Sequence, residues 1–254
     1  MSRFKLLIVV FTLSLGACSH EKRMRKLVEV PESLYSYTLT EKAELRSQAV
    51  NFDQKGATFD SLAEPSWLRI DSLSGLEREM NISFWFRLTS DVGGRTQTVL
   101  RAVDTHRSYK HLSIGFSGFR IGGSLNSHNF SAKDNTLGNE PSRTYFDLPR
   151  LEMGRYYFFS MNKQGGKIAI YVNAELYQEF DFKEDFELDT NELLLGVLNT
   201  SGDFVNQYVG NLRNLDMFNQ VLTEDQIYSL SVNNYSNIAP FNDAFELSKF
   251  KLEN

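Results

Sequence analysis

An all-β sandwich of antiparallel sheets is the fold this sequence predicts, and three observations carry it. The chain has 20 Phe and 11 Tyr in 254 residues but only 5 Pro, and aromatic side chains favour the pleated, half-buried surface of a strand. The segment Asn81–Leu88 sets Ile82, Phe84, Phe86 and Leu88 at a period of two, which gives one continuous apolar face. Turn signals then recur at short intervals, as expected of many short strands. There is one cysteine, so no internal disulfide can form. A chain of this length can bury an adequate core without one.

The elements follow in order. Residues 1–17 open with Arg3 and Lys5, continue with ten residues from Leu6 to Leu15, and end on the small pair Gly16-Ala17. That run is too short to span a bilayer, which needs about 20 residues, and it has the layout of a secretory leader. Residues 18–50 read as a tether. Lys22, Arg23, Arg25 and Lys26 form a basic stretch suited to acidic lipid headgroups, Pro31 interrupts the chain, and Glu41–Gln48 suggests a helical turn.

The domain is expected over residues 51–232. Trp85 lies on the opposite face of its strand from Phe84 and Phe86, so its burial would mean a strand covered on both sides. Further strands are expected at Thr98–Val103, His111–Gly115, Phe119–Ile121, Arg143–Phe146, Tyr156–Met161, Lys167–Val172, Leu176–Phe182, Glu192–Leu198 and Tyr208–Phe218. Gln164-Gly165-Gly166 and Asn173-Ala174-Glu175 mark hairpin turns. Thr223 followed three residues later by Gln226 is a capping box, so a helix begins there and packs Ile227 and Leu230 on the sandwich. Residues 233–254 carry Phe241, Phe245, Leu247, Phe250 and Leu252, and this apolar tail is expected to return onto the domain.

Two resemblances add to this reading. Leu15-Gly16-Ala17-Cys18 resembles the lipobox of bacterial lipoproteins. It implies lipidation at Cys18 and attachment to a cell-envelope membrane, and Ser19, rather than Asp, implies the outer membrane. Several buried acyl chains hold a protein to a bilayer stably, since each buried methylene contributes about 0.8 kcal/mol. Separately, Ala57–Asp71, Asn81–Leu88, Gly154–Phe180 and Tyr208–Leu230 resemble, in order, segments of laminin G-like domains of the concanavalin A-like superfamily. That resemblance implies a jelly-roll sandwich of two antiparallel sheets with one short C-terminal helix. It also implies a calcium site built on Asp60 and Asn214. Arg213 stands where the family often has an acid, and a cation at that place opposes calcium, which takes six to eight oxygen ligands.

The chemistry narrows the function. The net charge is -5 and becomes -7 once Arg3 and Lys5 leave with the leader, which disfavours nucleic acid as a partner. His20, His106, His111 and His128 show no metal-ligand spacing, and there is no nucleophile elbow or phosphate loop. Glu187-Leu188-Asp189-Thr190-Asn191-Glu192 matches the E-x-D-x-x-E spacing of jelly-roll glucanases, whose paired carboxylates cleave glycans. A solvated acidic loop explains the same residues. Trp67 and Tyr109 fall in or beside loops, where an aromatic ring either packs or stacks on a sugar, and the longest irregular segment, 126–143, is the first place to look for a ligand. The expectation is therefore a lipid-anchored, non-catalytic binding module for a carbohydrate or an envelope protein. The alternatives are a glycoside hydrolase using Glu187 and Glu192, and an envelope assembly protein.

Overall fold

The computed structural model describes residues 25–42, 45–60, 64–76, 78–90, 96–105, 110–117, 120–125, 128–131, 134–138, 151–181, 189–200 and 203–235. The first strands are β1 (Tyr35–Tyr37), β2 (Arg46–Gln48), β3 (Val50–Asp53), β4 (Gly56–Phe59), β5 (Trp67–Asp71) and β6 (Glu79–Leu88). Then come β7 (Thr96–Asp104), β8 (Lys110–Ser117), β9 (Arg120–Leu125), β10 (His128–Ser131), β11 (Asp134–Gly138) and β12 (Tyr156–Gln164). The last are β13 (Lys167–Val172), β14 (Glu175–Asp181), β15 (Glu192–Leu195), β16 (Leu198–Thr200), β17 (Asp203–Val205) and β18 (Gly210–Phe218), followed by helix α1 (Glu224–Tyr235).

Two antiparallel sheets make the expected sandwich. The first runs β14-β13-β12-β6-β18-β4-β3, with β1 also on β18. The second runs β11-β10-β9-β8-β7-β15-β5-β2. Between them lies the main core, where Phe84 stacks on Phe159 at 4.9 Å and Phe86 meets Phe116 of the other sheet at the same separation. Each such ring removed from water stabilises the fold by roughly 1.5–3 kcal/mol.

The central strands of the first sheet, β6, β12 and β18, are buried on both faces. Trp85 is fully buried in a second apolar cluster with Phe158, Tyr171, Phe218, Leu222, Ile227 and Tyr235. Helix α1 supplies the cover. Its start is the capping box read from the sequence: Gln226 N donates to Thr223 Oγ1 at 3.2 Å, and Thr223 N donates to Gln226 Oε1 at 2.9 Å. Beneath the lead-in to the helix sits a satisfied polar network. Asn81 Nδ2 donates to Ser160 Oγ and to Asn162 Oδ1, and Ser83 Oγ donates to Asn81 Oδ1. Asn162 then clamps the backbone of Leu222, donating to its carbonyl at 2.7 Å and accepting from its N–H at 3.0 Å. The far corner of this outer face is filled by Arg87, which donates to Asn211 Oδ1 and lies 5.0 Å over the Tyr156 ring. Burial pushes the Tyr156 phenol up to about 12, and its hydroxyl donates to Lys55 O.

Several expectations are corrected here. Residues 18–50 were expected as a tether, yet the chain from Val28 onward lies on the sandwich. Val28 N donates to Ser229 Oγ on α1, Tyr35–Tyr37 pairs with β18, and Arg46–Gln48 pairs with β5. Tyr35 and Tyr37 alternate as strand residues do and pack against the main core, a pattern too short to stand out in the sequence. Arg46–Gln48 is a strand where a helical turn was expected. The expected strand Glu192–Leu198 breaks at Gly196, whose φ is 88° and whose missing Cβ leaves room for the Phe59 ring. At the second hairpin, Asn173 and Ala174 take φ of 51° and 61°. The turn keeps a left-handed form without glycine, and Ala174 is fully buried in the cluster around Trp85. The leader with Cys18, the strand expected at 143–146 and the tail beyond 235 lie outside the described residues.

Two measurements test this packing. Asn162→Ala leaves the Leu222 N–H and carbonyl and part of Asn81 unpaired, and should cost about 2–4 kcal/mol in urea unfolding; a loss below about 0.5 kcal/mol contradicts the clamp. Asp216 is buried and accepts from Ser36 Oγ at 2.6 Å and Asn234 Nδ2 at 3.1 Å. Burial raises its carboxyl above the usual range despite those bonds. The folded state therefore holds the proton more tightly than the unfolded chain, so this group's contribution falls as pH rises above about 4. Wild type should lose stability relative to Asp216→Asn between pH 4 and 7, and parallel curves would refute the assignment.

Candidate functional site

Charged and aromatic side chains converge on the outer face of the second sheet, as they also do around Arg87 and Tyr156 on the first. On the second sheet the arrangement arises from simple alternation. In β5, Leu68 and Ile70 point into the main core, so Trp67, Arg69 and Asp71 face outward. In β15, Leu193 and Leu195 are in the core, so Glu192 and Leu194 face outward. The register sets Arg46 and Leu194 on either side of Arg69, and Gln48 beside Trp67. Leu194 in turn pairs with Arg101 of β7, which pairs with Ser113 of β8.

The charges form a linked ladder. Arg69 Nε lies 2.5 Å from Asp71 Oδ1, and Arg69 Nη2 lies 2.6 Å from Glu192 Oε2. Asp71 Oδ2 also meets Arg46 Nη1 at 3.5 Å. Arg69 is 39 % exposed and Asp71 30 %, whereas Glu192 is 17 % exposed. Burial lowers the Arg101 guanidinium below its ordinary range, and nearby Glu192 opposes that shift. Trp67 is half-buried, with its indole N–H donating to Gln48 Oε1 at 3.2 Å. The face is open toward β2 and β5. Toward β7 and β8 it is covered, with Leu194, Val103 and Ser113 all buried. The Ser113 hydroxyl is buried there with no hydrogen-bond partner, a state that a ligand hydroxyl or a water would relieve.

Of the residues singled out in the sequence, Trp67 belongs to this face. Glu192 does too, but its carboxylate is bound to Arg69. A glycosidase needs one carboxyl free to give a proton and a second about 5 Å away. Asp71 lies directly across the register from Glu192, but both carboxylates are bound to the Arg69 guanidinium, and Glu187 lies outside the described residues. Tyr109 is also outside them. The calcium pair is not brought together. Phe59 pairs with Gly210, which leaves Asp60 about 15 Å along the ladder from Asn214 at the usual strand rise. Asn214 sits at a bulge of β18 with φ of 49°, and its Nδ2 is buried without a partner. Arg213 donates to Gln54 O and so binds the β3–β4 turn. No group of three or more His, Cys, Asp or Glu that could hold a metal occurs among the described residues.

The sequence reading missed Arg46, Arg69, Asp71, Arg101 and Ser113. The signal for two of them was present in Trp67-Leu68-Arg69-Ile70-Asp71, where period two puts every polar residue on one side. The other three come from strands distant in the chain, and only the register joins them.

Comparison with known proteins places the fold. The laminin G-like family model of the concanavalin A-like lectin/glucanases superfamily matches residues 64–228, most of the chain. The chain belongs to this family. Similar solved structures include the botulinum neurotoxin serotype D binding domain, at 14 % identity and a TM-score of 0.54, covering 80 % of this chain and 51 % of that one. A SAP-like pentraxin from Limulus polyphemus matches at 14 % identity and a TM-score of 0.53, with 68 % of this chain and 80 % of that one covered. A Trypanosoma rangeli sialidase matches at 10 % identity and a TM-score of 0.57, over 76 % of this chain and 30 % of that one. The family member described here thus spans about half the length of the neurotoxin binding domains it resembles. A search of curated proteins gave no match.

Arg69→Ala removes both strong ion pairs of the ladder. Arg69 is more than a third exposed, so solvent screening limits the cost to about 1 kcal/mol. A thermal or urea unfolding measurement should find the variant folded and only slightly weakened; collapse of the domain would make the ladder a structural brace instead.

Proposed function

We propose that this laminin G-like domain is a non-catalytic, lectin-like module that binds a carbohydrate on the outer face of its second sheet and is held at a cell-envelope membrane by a lipid on Cys18. The observation that carries the ligand reading is the Trp67-Arg69-Asp71 row with Glu192 and Arg46 beside it. Ion pairing fixes the directions of the donors and acceptors before any ligand arrives, so sugar hydroxyls meet positioned groups and little side-chain freedom is lost on binding. The partly exposed Trp67 ring offers a flat apolar surface for the carbon face of a sugar, as aromatic side chains do at many polar interfaces.

Solved structures of similar fold include receptor binding domains and sugar-bound ones. One is a botulinum neurotoxin serotype D ligand binding domain in complex with N-acetylneuraminic acid. That ligand belongs to the neurotoxin; for this chain it serves as a first probe class. Anchoring rests on the lipobox-like Leu15-Gly16-Ala17-Cys18 and the leader before it.

The test is a glycan array followed by titration of the best oligosaccharide. Trp67→Ala and Arg69→Ala should each weaken binding at least about tenfold, the scale of one lost stacking or charge-assisted contact of about 1.4 kcal/mol. Unchanged affinity in both variants, with the protein folded, removes this face from the function.

A further inference from the structure

The way the N-terminal segment lies on the sandwich determines how an anchored molecule would face its membrane. Residues from Arg25 run beside helix α1 on the outer side of the first sheet. Val28 N donates to Ser229 Oγ at 2.8 Å, Val30 packs into the cluster around Trp85, and Leu34 N donates to Met217 O at 2.8 Å. Arg25 is close enough to Tyr171 and Tyr228 to favour their ionised forms against the effect of burial. The segment is thus fastened at several points to the helix side of the fold.

That shortens the expected tether greatly. Seven residues lead from Cys18 to Arg25 and ten lead to Val28. Fully extended they reach at most about 25 Å and 35 Å. A domain of this size is about 45 Å across. A chain leaving the helix side therefore cannot pass around the sandwich to let the opposite sheet touch the bilayer. The residues at the exit suit a lipid surface. Leu27 is 54 % exposed and Val28 40 %, large apolar side chains left in solvent, and Lys26 is exposed beside them. Glu29 and Glu32, also exposed, oppose attraction to acidic lipids, so the short leash sets the orientation more than charge does.

We propose that the anchored protein holds its α1 side against the membrane, with Leu27 and Val28 at the lipid surface, and presents the Trp67–Arg69–Asp71 face away from it. The inference rests on the anchoring proposed at Cys18, and it assigns the fold one membrane side and one ligand side.

The experiment uses the full-length, membrane-processed protein reconstituted in phosphatidylethanolamine/phosphatidylglycerol vesicles doped with a nickel-chelating lipid. Because Cys18 is the one native cysteine, a nitroxide can be placed singly through Leu27→Cys or Gln48→Cys. Mass spectrometry of the N-terminal peptide first reads the state of Cys18. Nickel at the headgroups should then speed relaxation of the Leu27 label several-fold more than that of the Gln48 label. An unmodified Cys18 overturns the anchoring and the orientation with it. A lipidated Cys18 with equal relaxation at both labels, or faster relaxation at Gln48, overturns the orientation alone.

Discussion

Burial of Trp85 is the constraint on which the architecture turns. A strand with large aromatics on both sides needs cover on both sides, and the second sheet can supply only one. Helix α1 and the N-terminal segment supply the other, and the Asn162 clamp fixes the helix lead-in where it must begin. The cost of turning polar backbone inward at that junction is met by hydrogen bonds, so the network is complete where a partial one would destabilise the fold. With the centre of the first sheet closed in this way, the outer face of the second sheet leaves an ion-paired ladder and an indole ring partly open to solvent.

That asymmetry links structure to function. Family members share the sandwich, and the fold alone does not specify what one of them binds. Here the division of labour comes from particular side chains. The helix face is apolar and clamped. The opposite face is an ion-paired ladder bordered by an indole ring and an orphan hydroxyl at Ser113. Within that ladder the Glu192 carboxylate is engaged by the Arg69 guanidinium 2.6 Å away.

Much of the fold was legible in the sequence because it rests on local rules. Period two in Asn81–Leu88, the capping box at Thr223 and the hairpin at Gly165-Gly166 each name their element without help from distant residues. The early strands were missed because β1 and β2 are three residues each, too short for a pattern to declare itself, and they exist through pairing with β18 and β5. The proposed binding face was half legible. Trp67 drew notice as an aromatic residue beside a loop, but Arg46, Glu192 and Arg101 of the same face come from three other strands, and no spacing in the chain announces a register. The calcium pair failed for the same reason in reverse, since two residues matched to a motif are held apart by the pairing of Phe59 with Gly210.

The central claim is that one sheet works and the other is closed. Amide hydrogen exchange with and without a bound oligosaccharide tests it most directly, since it reads every strand at once. The account predicts slowed exchange in Arg46–Gln48, Trp67–Asp71 and Glu192–Leu195, with none in Glu79–Leu88 or in the helix. Protection confined to the helix and the first sheet would contradict it.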